Sequence, residues 1–243
     1  SLPFSLDSLK SYFALQKLNG FDVYHYHVRP LLFSKNFKKP TGKDLVFLKS
    51  LGKMVFFHYR GSEARLASVF KKSTPYNYVD EQLARQDNTM PFCFDEEKQK
   101  SFRDFLFNVC DDVFVTDPEL QCYVPNATIV PRAINLDAIN NINSNNRKIP
   151  LIVHAPSRSG VKGTQYVLEA VDNLMKEGLD FEFKLLENRP HEEAIKIYAD
   201  ADIILDQLRI GWYGVLAVEG MALGKAVVSY VRHDLRHYLP YPA

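Results

Sequence analysis

The sequence predicts an α/β protein with two parallel-sheet domains. Short apolar runs alternate with helical patterns, most regularly between residues 150 and 231. An Asn-rich stretch separates this part from a first half that is less regular but similar in kind. Alternating strands and helices are typical of right-handed crossovers and of a parallel sheet covered on both faces. We therefore expect one such sheet on either side of the Asn-rich stretch.

The second half supplies the clearer elements. Its strand candidates are LIVHAP (151–156), FEFKLLE (181–187), DIILDQL (202–208) and AVVSYV (226–231). Apolar residues at helical spacing predict an amphipathic helix that starts at residue 164 and ends at Gly178. The residues expected on its apolar face are Val167, Leu168, Val171, Leu174 and Met175. HEEAIKIYADA predicts a further helix, and VLAVEGMAL predicts a short buried one that Gly224 stops.

The first half follows the same scheme with weaker patterns. Helices are predicted over about residues 6–18, over DLVFLKSL and over EEKQKSFRDFLFNVC (96–110). Strands are predicted over FDVYHYHV (21–28), KMVFFHY (53–59), DVFVTD (112–117) and TIVP (128–131). Because a run rich in Asn cannot bury a core, it predicts a linker. The predicted limits are 1–137 for the N-terminal domain, 138–149 for the linker and 150–243 for the C-terminal domain.

Composition narrows the classes of function. The 30 Lys and Arg residues nearly balance the 29 Asp and Glu residues, so no nucleic-acid partner is expected. Cys93, Cys110 and Cys122 show no CxxC spacing, which argues against a disulfide framework or a zinc site and favours a cytoplasmic location. No apolar stretch reaches the roughly 18 residues of a membrane-spanning helix, while docking at a membrane surface stays open.

Both ends of the sequence lead us to expect part of a longer protein. The chain opens without Met and stops directly after a predicted strand. We therefore expect both domains to be incomplete.

The loop after LIVHAP is the first candidate site, because open parallel sheets bind ligands beyond the carboxyl ends of their strands. It reads SRSGVKGTQ and carries Arg158 and Lys162 ahead of a helix. A helix start offers free N–H groups and partial positive charge, and two cations beside it suit a phosphate. Neither GxxxxGK[ST] nor GxGxxG is present, so a solvated basic loop is the alternative.

The loop after DIILDQL is the second candidate. Gly211 and Gly214 flank Trp212 and Tyr213, and glycines let a ligand approach the backbone closely. We expect the two aromatic rings to form a wall for a base or a sugar, with ordinary packing as the alternative.

Glu219 lies about one turn into the helix that follows this loop, among apolar residues. A carboxylate that is buried there without a partner is costly, so it requires a donor. The expected donors are the hydroxyls of a ribose or a neighbouring Lys or Arg. A structural ion pair or an exposed helix face is the alternative.

The order of these segments is more specific than any one of them. HAPSRSGVKGT, an amphipathic helix ending in Gly, a strand, ADIILDQ and GWYGVLAVEGMALGKAVV together resemble the donor-binding domain of GT-B glycosyltransferases, in particular the retaining family 4. The resemblance covers residues 150–231 closely and the N-terminal half in outline. It implies two Rossmann-like domains, of which the N-terminal one faces the acceptor and the C-terminal one binds the donor.

The resemblance also assigns roles in the C-terminal domain. Arg158 and Lys162 correspond to the basic residues that clamp the donor diphosphate, and Glu219 corresponds to the glutamate that holds the ribose hydroxyls. The glutamate that contacts the donor sugar in the family would stand at Gly211. The remaining positions assigned to nucleotide-sugar binding are Ser157, Gly163, Gly211, Trp212, Tyr213, Gly214 and Val215.

In the N-terminal half, FFHYRGSEARL resembles a family segment in which a strand ends in HGS followed by an acid. Arg60 stands at the place of the histidine, and His58 lies two residues earlier. Either side chain is expected to meet the donor sugar, with a strand histidine that binds no ligand as the alternative. His27 matches a family histidine on the acceptor side. As a zinc pair, His25 and His27 would lack further ligands, so no metal is expected.

The resemblance implies a glycosyltransferase that moves a sugar from a nucleotide diphosphate sugar to a hydroxyl of a glycan or lipid-linked acceptor, with retention, in polysaccharide or glycolipid biosynthesis. The departing phosphate oxygen would accept the proton of the acceptor, so no catalytic base is needed. The nucleotide sugar is the donor substrate, and no cofactor is expected. Two alternatives stay open. A nucleotide-sugar epimerase would need paired acids and a DSGG-like segment, which the sequence lacks. An inactive nucleotide-sugar-binding or partner subunit is favoured by the missing acid at Gly211.

Overall fold

The computed structural model describes residues 20–27, 42–81, 95–140 and 147–240. These residues form two four-stranded sheets, and every paired strand within them is parallel. The predicted α/β fold with two parallel sheets is thereby confirmed. The helix predicted over about residues 6–18 lies outside the described residues.

The first sheet has its strands in chain order. They are β1 (Val23–His27), β2 (Met54–Tyr59), β3 (Asp112–Val115) and β4 (Thr128–Ile129). The helices that accompany them are α1 (Lys43–Ser50), α2 (Ala67–Ser73), α3 (Glu96–Val109) and a 3₁₀ helix at Pro118–Cys122. Asp95 caps the start of helix α3, because its carboxylate accepts the N–H of Lys98 at 3.1 Å.

The two faces of the first sheet differ. Val55, Phe57 and Val113 are fully buried on one face. Strand β1 alternates along its length, so that Tyr24 and Tyr26 are buried whereas its two histidines are exposed. Because side chains of a strand point alternately to opposite faces, the histidines share the face that lies away from this core.

A buried ion pair lies in the part of the chain that contains the first sheet. Arg65 donates from Nε and Nη2 to the carboxylate of Glu119 at 3.0 and 2.9 Å, and both side chains are almost fully buried. This paired geometry satisfies the charges in a place where either one alone would be costly.

The second sheet has the strand order β6-β5-β7-β8. Its strands are β5 (Leu151–His154), β6 (Glu182–Leu185), β7 (Ile203–Leu205) and β8 (Ala226–Val228). Its helices are α4 (Leu136–Asn140), α5 (Ser159–Lys162), α6 (Thr164–Lys176), α7 (His191–Asp200), α8 (Val215–Ala222) and a 3₁₀ helix at His233–Tyr238. The chain adds β6 on one side of β5 and then β7 on the other, so the winding direction reverses between β5 and β7.

Helix α6 forms where it was predicted, but its buried face is narrower. Val167 and Val171, which are one turn apart, are buried, as expected for the row that faces the sheet. Leu168 and Met175 were expected on the same face, yet they are 44% and 51% exposed. Leu168 lies one position further round the helix from this row, and Met175 lies in the last turn of the helix.

Contacts divide the chain into two compact units. One comprises Ser1–Phe70 and Asp87–Pro131, and the other comprises Lys71–Gln86 and Arg132–Ala243. Residues 71–86 therefore join the second unit, although the limits drawn from the sequence placed them in the N-terminal domain. No helix within the described residues is both long enough and apolar enough to cross a membrane.

Candidate functional site

The loops that follow β5 and β7 meet at the point where the winding of the second sheet reverses. The two strands are parallel neighbours, so both loops leave the same edge of the sheet. The first loop contains the single turn α5 and ends at Gly163, and the second runs from Asp206 to Gly214, the residue before α8. The N–H of Leu208 in the second loop donates to the carbonyl of Lys162 in the first at 3.0 Å. Open parallel sheets bind ligands at such a reversal.

Lys162 supplies a positive charge at this edge. Its Nζ lies 2.5 Å from Oε1 of Gln207 and 3.5 Å from Oδ1 of Asp206, whose side chain is fully buried. Asp206 also accepts the N–H of Gly214. A Cβ at Gly214 would stand 3.0 Å from Nζ of Lys162, so the ammonium group lies against the backbone at the start of α8. A helix start and a cation here combine two features that favour anions.

Arg158, the other expected clamp residue, lies in a different setting. It is the residue before α5, and both it and Ser157 are exposed. Within the part of the chain that the structure describes, no hydrogen bond or ion pair orients its guanidinium group. The long helix expected to follow this loop begins only at Thr164, after α5 and Gly163. Val215, the first residue of α8, is partly exposed.

Glu219 is buried on α8, and its partner is a histidine. Its Oε1 lies 2.7 Å from Nε2 of His191, the first residue of α7, which acts as the donor in the matching tautomer. The side chain of Glu219 is 9% exposed and that of His191 is 69% exposed. The Lys or Arg partner that we expected is therefore not the one observed. No described residue donates a hydrogen bond to the second carboxylate oxygen, Oε2.

Trp212 and Tyr213 do not form an open wall. Trp212 is buried, and its ring stacks on that of Tyr213 with 4.7 Å between centroids. The backbone carbonyl of Trp212 accepts the side-chain N–H of Gln207. Ordinary packing, the alternative interpretation, therefore describes Trp212, whereas Tyr213 is half-buried.

The structure explains why a glycine stands at position 211. Gly211 has a φ of 92°, and a Cβ there would come within 2.6 Å of Cδ of Arg232. The N–H of Arg232 donates to the carbonyl of Gly211 at 3.0 Å, and its guanidinium group pairs with Asp234. The position at which the resemblance expects a sugar-contacting glutamate is thus covered by the stem of a nearly buried arginine.

Sequence reasoning missed three residues that support this edge. Asp206 and Gln207 follow β7 directly, but they fell inside the strand predicted over residues 202–208 and were therefore not considered as loop residues. His154, the last residue of β5, forms two hydrogen bonds. Its Nδ1 lies 2.8 Å from the backbone carbonyl of Leu205, and its Nε2 lies 2.9 Å from the hydroxyl of Thr164. Burial lowers the pKa of His154 below its ordinary value. The neutral imidazole therefore acts as a structural bridge between β5, β7 and the start of α6.

Arg209 was also missed, and it is the largest fully buried side chain in the described residues. Its guanidinium group donates to the backbone carbonyls of Tyr76, Asn77 and Gly160 at 2.7, 2.5 and 3.2 Å. It also pairs with Glu81 at 2.6 Å. These contacts attach the segment before residue 82 to both loops of the site.

The N-terminal candidates belong to the first unit. His58 is buried on β2, whereas Arg60, just beyond the strand, is exposed. The carboxylate of Glu63 accepts the N–H groups of Arg60 and Gly61, which fixes the turn after β2. His27 is exposed at the end of β1, directly opposite His58 in the strand register.

The histidines of this sheet form a cluster. Ring centroids of His25 and His27 lie 4.4 Å apart, and each lies within 5.3 Å of the centroid of His58. Burial, and after it the nearby histidines, lower the pKa of His58 to about 4. The backbone of Val130 approaches the ring and slightly raises the pKa, yet neither ring nitrogen forms a hydrogen bond of good geometry.

Comparison with known proteins identifies the fold. No family model and no curated protein matches the sequence. The structure of HepE from Anabaena in complex with UDP is similar, with a TM-score of 0.52, 11% identity, and coverage of 95% of this chain and 65% of that one. The structure of HepE in complex with UDP and glucose has a TM-score of 0.48 and 12% identity, with coverage of 94% of this chain and 65% of that one. A GtfA/B complex bound to UDP and GlcNAc has a TM-score of 0.34 and 13% identity, with coverage of 94% of this chain and 47% of that one.

These likenesses concern the fold alone because the identities are low. The chain spans 65% of the length of the HepE chain. The resemblance to GT-B proteins seen in the sequence is confirmed at this level. The chain has the GT-B fold of glycosyltransferases.

Proposed function

We propose that the second unit binds the diphosphate and ribose of a nucleotide sugar at the edge between β5 and β7, and that the protein is a retaining glycosyltransferase. The observation that carries this proposal is the position of Lys162. Its ammonium group lies against the backbone at the start of α8, where the winding of the sheet reverses. A diphosphate would meet a charge and a helix start at the place where open sheets bind ligands.

Glu219 supplies the second point of attachment. It lies five residues beyond Gly214 on the same helix, a rise of about 7.5 Å, which is within the span of a nucleoside diphosphate. His191 holds Oε1, and Oε2 remains for a ribose hydroxyl. A carboxylate that is already oriented by one hydrogen bond loses less freedom on binding.

The chemistry follows from the charge that develops in the reaction. When the anomeric bond breaks, negative charge grows on the leaving diphosphate, and Lys162 with the start of α8 would stabilise it. Asp206 and Gln207 hold the ammonium group in position. The leaving phosphate oxygen would take the proton of the acceptor hydroxyl, so the reaction needs no separate catalytic base.

The assignments in the first unit complete the proposal. Arg60, which is exposed, would serve the donor sugar, and His27 would lie on the side of a glycan or lipid-linked acceptor. The base and the sugar of the donor are best sought with UDP-linked sugars first, because the similar HepE structure is a complex with UDP.

A second candidate function is a nucleotide-sugar-binding subunit without activity. Gly211 favours it, because the stem of Arg232 covers the place where a sugar-contacting acid is expected. A transfer and hydrolysis assay with UDP-, GDP- and ADP-linked sugars and varied acceptors separates the two candidates. Turnover that disappears in a Lys162→Ala variant supports the transferase. Tight binding without turnover in every combination would leave the inactive subunit, and absence of binding would reject both.

A further inference from the structure

The histidine cluster of the first sheet has the composition of a cation site. His25 and His27 are separated by one residue on β1 and therefore share a face. The parallel register places His58 of β2 directly beside His27. One nitrogen from each ring lies within 4.8 Å of the nitrogens of the other two.

His58 indicates that the cluster is built for a ligand. The residue is only 5% exposed, and both of its ring nitrogens are buried without a hydrogen bond. A buried polar atom without a partner costs about 1–3 kcal/mol in a folded protein. A cation that binds the lone pair of one ring nitrogen would remove that cost at this nitrogen.

We propose that His25, His27 and His58 bind one divalent transition-metal cation of the zinc class. Zn²⁺ binds imidazole nitrogen at about 2.0–2.1 Å, which places the nitrogens of a tetrahedral site roughly 3.4 Å apart. Each distance between two of the three nitrogens would therefore shorten by no more than about 1.4 Å, a change that rotation of the rings can supply. His25 and His27 are exposed on β1 and have room to turn.

This inference reverses the expectation that no metal is bound. That expectation rested on a pair of histidines with no further ligand, whereas the strand register adds His58 as the third. Three imidazoles with one open position form a known zinc donor set. The open position accepts water or a hydroxyl oxygen, so the site is compatible with a role of His27 near an acceptor. The metal site does not depend on nucleotide binding by the second unit.

The test uses the full chain without a purification tag, stripped of metal with a chelator that is then removed. Zn²⁺ is titrated by calorimetry, and Co²⁺ is titrated by visible absorption as a reporter of tetrahedral coordination. We expect one equivalent to bind. His27→Gln and His25→Gln should each raise the Kd by more than about 100-fold, since loss of an outer partner alone costs about 10- to 100-fold. His233→Gln, in the exposed 3₁₀ helix of the second unit, is the matched control and should bind as the wild type does.

The readouts also separate a lost ligand from a lost fold. His25 and His27 are exposed, so their variants should keep the circular dichroism spectrum and the thermal midpoint of the metal-free wild type. Zn²⁺ should raise the thermal midpoint of the wild type and of His233→Gln, but not that of His27→Gln. Absence of binding to the wild type at 0.1 mM, or binding that His25→Gln and His27→Gln leave unchanged, would overturn the proposal.

Discussion

Nζ of Lys162 lies 3.5 Å from Oδ1 of Asp206, and these residues belong to loops that follow two neighbouring parallel strands, β5 and β7. Asp206 also accepts the N–H of Gly214, so one buried carboxylate connects the cation of the first loop to the helix start of the second. The ion pair thus fixes a positive charge at the reversal of the sheet. Anion binding at that place is the property on which the proposed function depends.

Replacing Lys162 by Ala should weaken the binding of a nucleoside diphosphate. A hydrogen bond to a charged group contributes about 1.5–3 kcal/mol, so the Kd should rise roughly 10- to 150-fold. Calorimetric titration with UDP, GDP and ADP measures the effect. Lys176→Ala, an exposed lysine at the end of α6, is the control and should leave the Kd unchanged. Equal affinities of the Lys162 variant and the wild type would show that the ammonium group does not meet the phosphates.

Gly211 should be intolerant of a side chain. Alanine at a positive φ costs about 1–3 kcal/mol in strain, and here it would also collide with Arg232. The control is Gly178→Ala, because Gly178 has a φ of 83° but a Cβ added there would meet no heavy atom within 4 Å. Urea unfolding should show a larger loss of the free energy of unfolding for Gly211→Ala than for Gly178→Ala. Equal losses would mean that the contact with Arg232 is not constraining.

Arg209 should prove to be a structural support of the site. Arg209→Met removes the donor of several backbone carbonyls, and each buried acceptor left without a donor costs about 1–3 kcal/mol. The same change at Arg189, which forms an exposed ion pair, should cost no more than about 1 kcal/mol. Urea unfolding compares the two variants. A similar stability of both would contradict the supporting role of Arg209.

His154 should make the stability depend on pH. Its pKa is lowered by burial from 6.5, so below that pH the unfolded chain takes up a proton that the folded chain does not. The free energy of unfolding should therefore fall as the pH drops below about 6.5, by at most about 1.4 kcal/mol per pH unit from this residue. Subtracting the pH profile of His154→Gln from that of the wild type isolates this contribution. Profiles that run parallel from pH 7.5 to 5.5 would exclude it.

The sequence was sufficient to predict the strands of both sheets and the helices α1, α3, α6, α7 and α8, because apolar periodicity reports local geometry. It did not predict the shorter helices α2, α4 and α5. It also singled out Lys162, in the loop after β5, and Glu219, about one turn into α8, as candidate binding residues. The partners of these residues could not be predicted. His191, which holds Glu219, comes from the start of another helix, and Glu81, which pairs with Arg209, is 128 residues away. The strand register that adds His58 to the other histidines is likewise a property of the folded sheet.

The central claim is that Glu219 and Lys162 hold two parts of one nucleotide, the ribose and the diphosphate. The direct measurement is a calorimetric titration of Glu219→Gln with a nucleoside diphosphate and, separately, with inorganic pyrophosphate. The account predicts that this variant loses about tenfold or more in affinity for the nucleoside diphosphate and keeps its affinity for pyrophosphate. Glu169→Gln, on the exposed side of α6, should change neither value. An unchanged affinity of Glu219→Gln for the nucleoside diphosphate, or a wild type that binds none, would contradict the account.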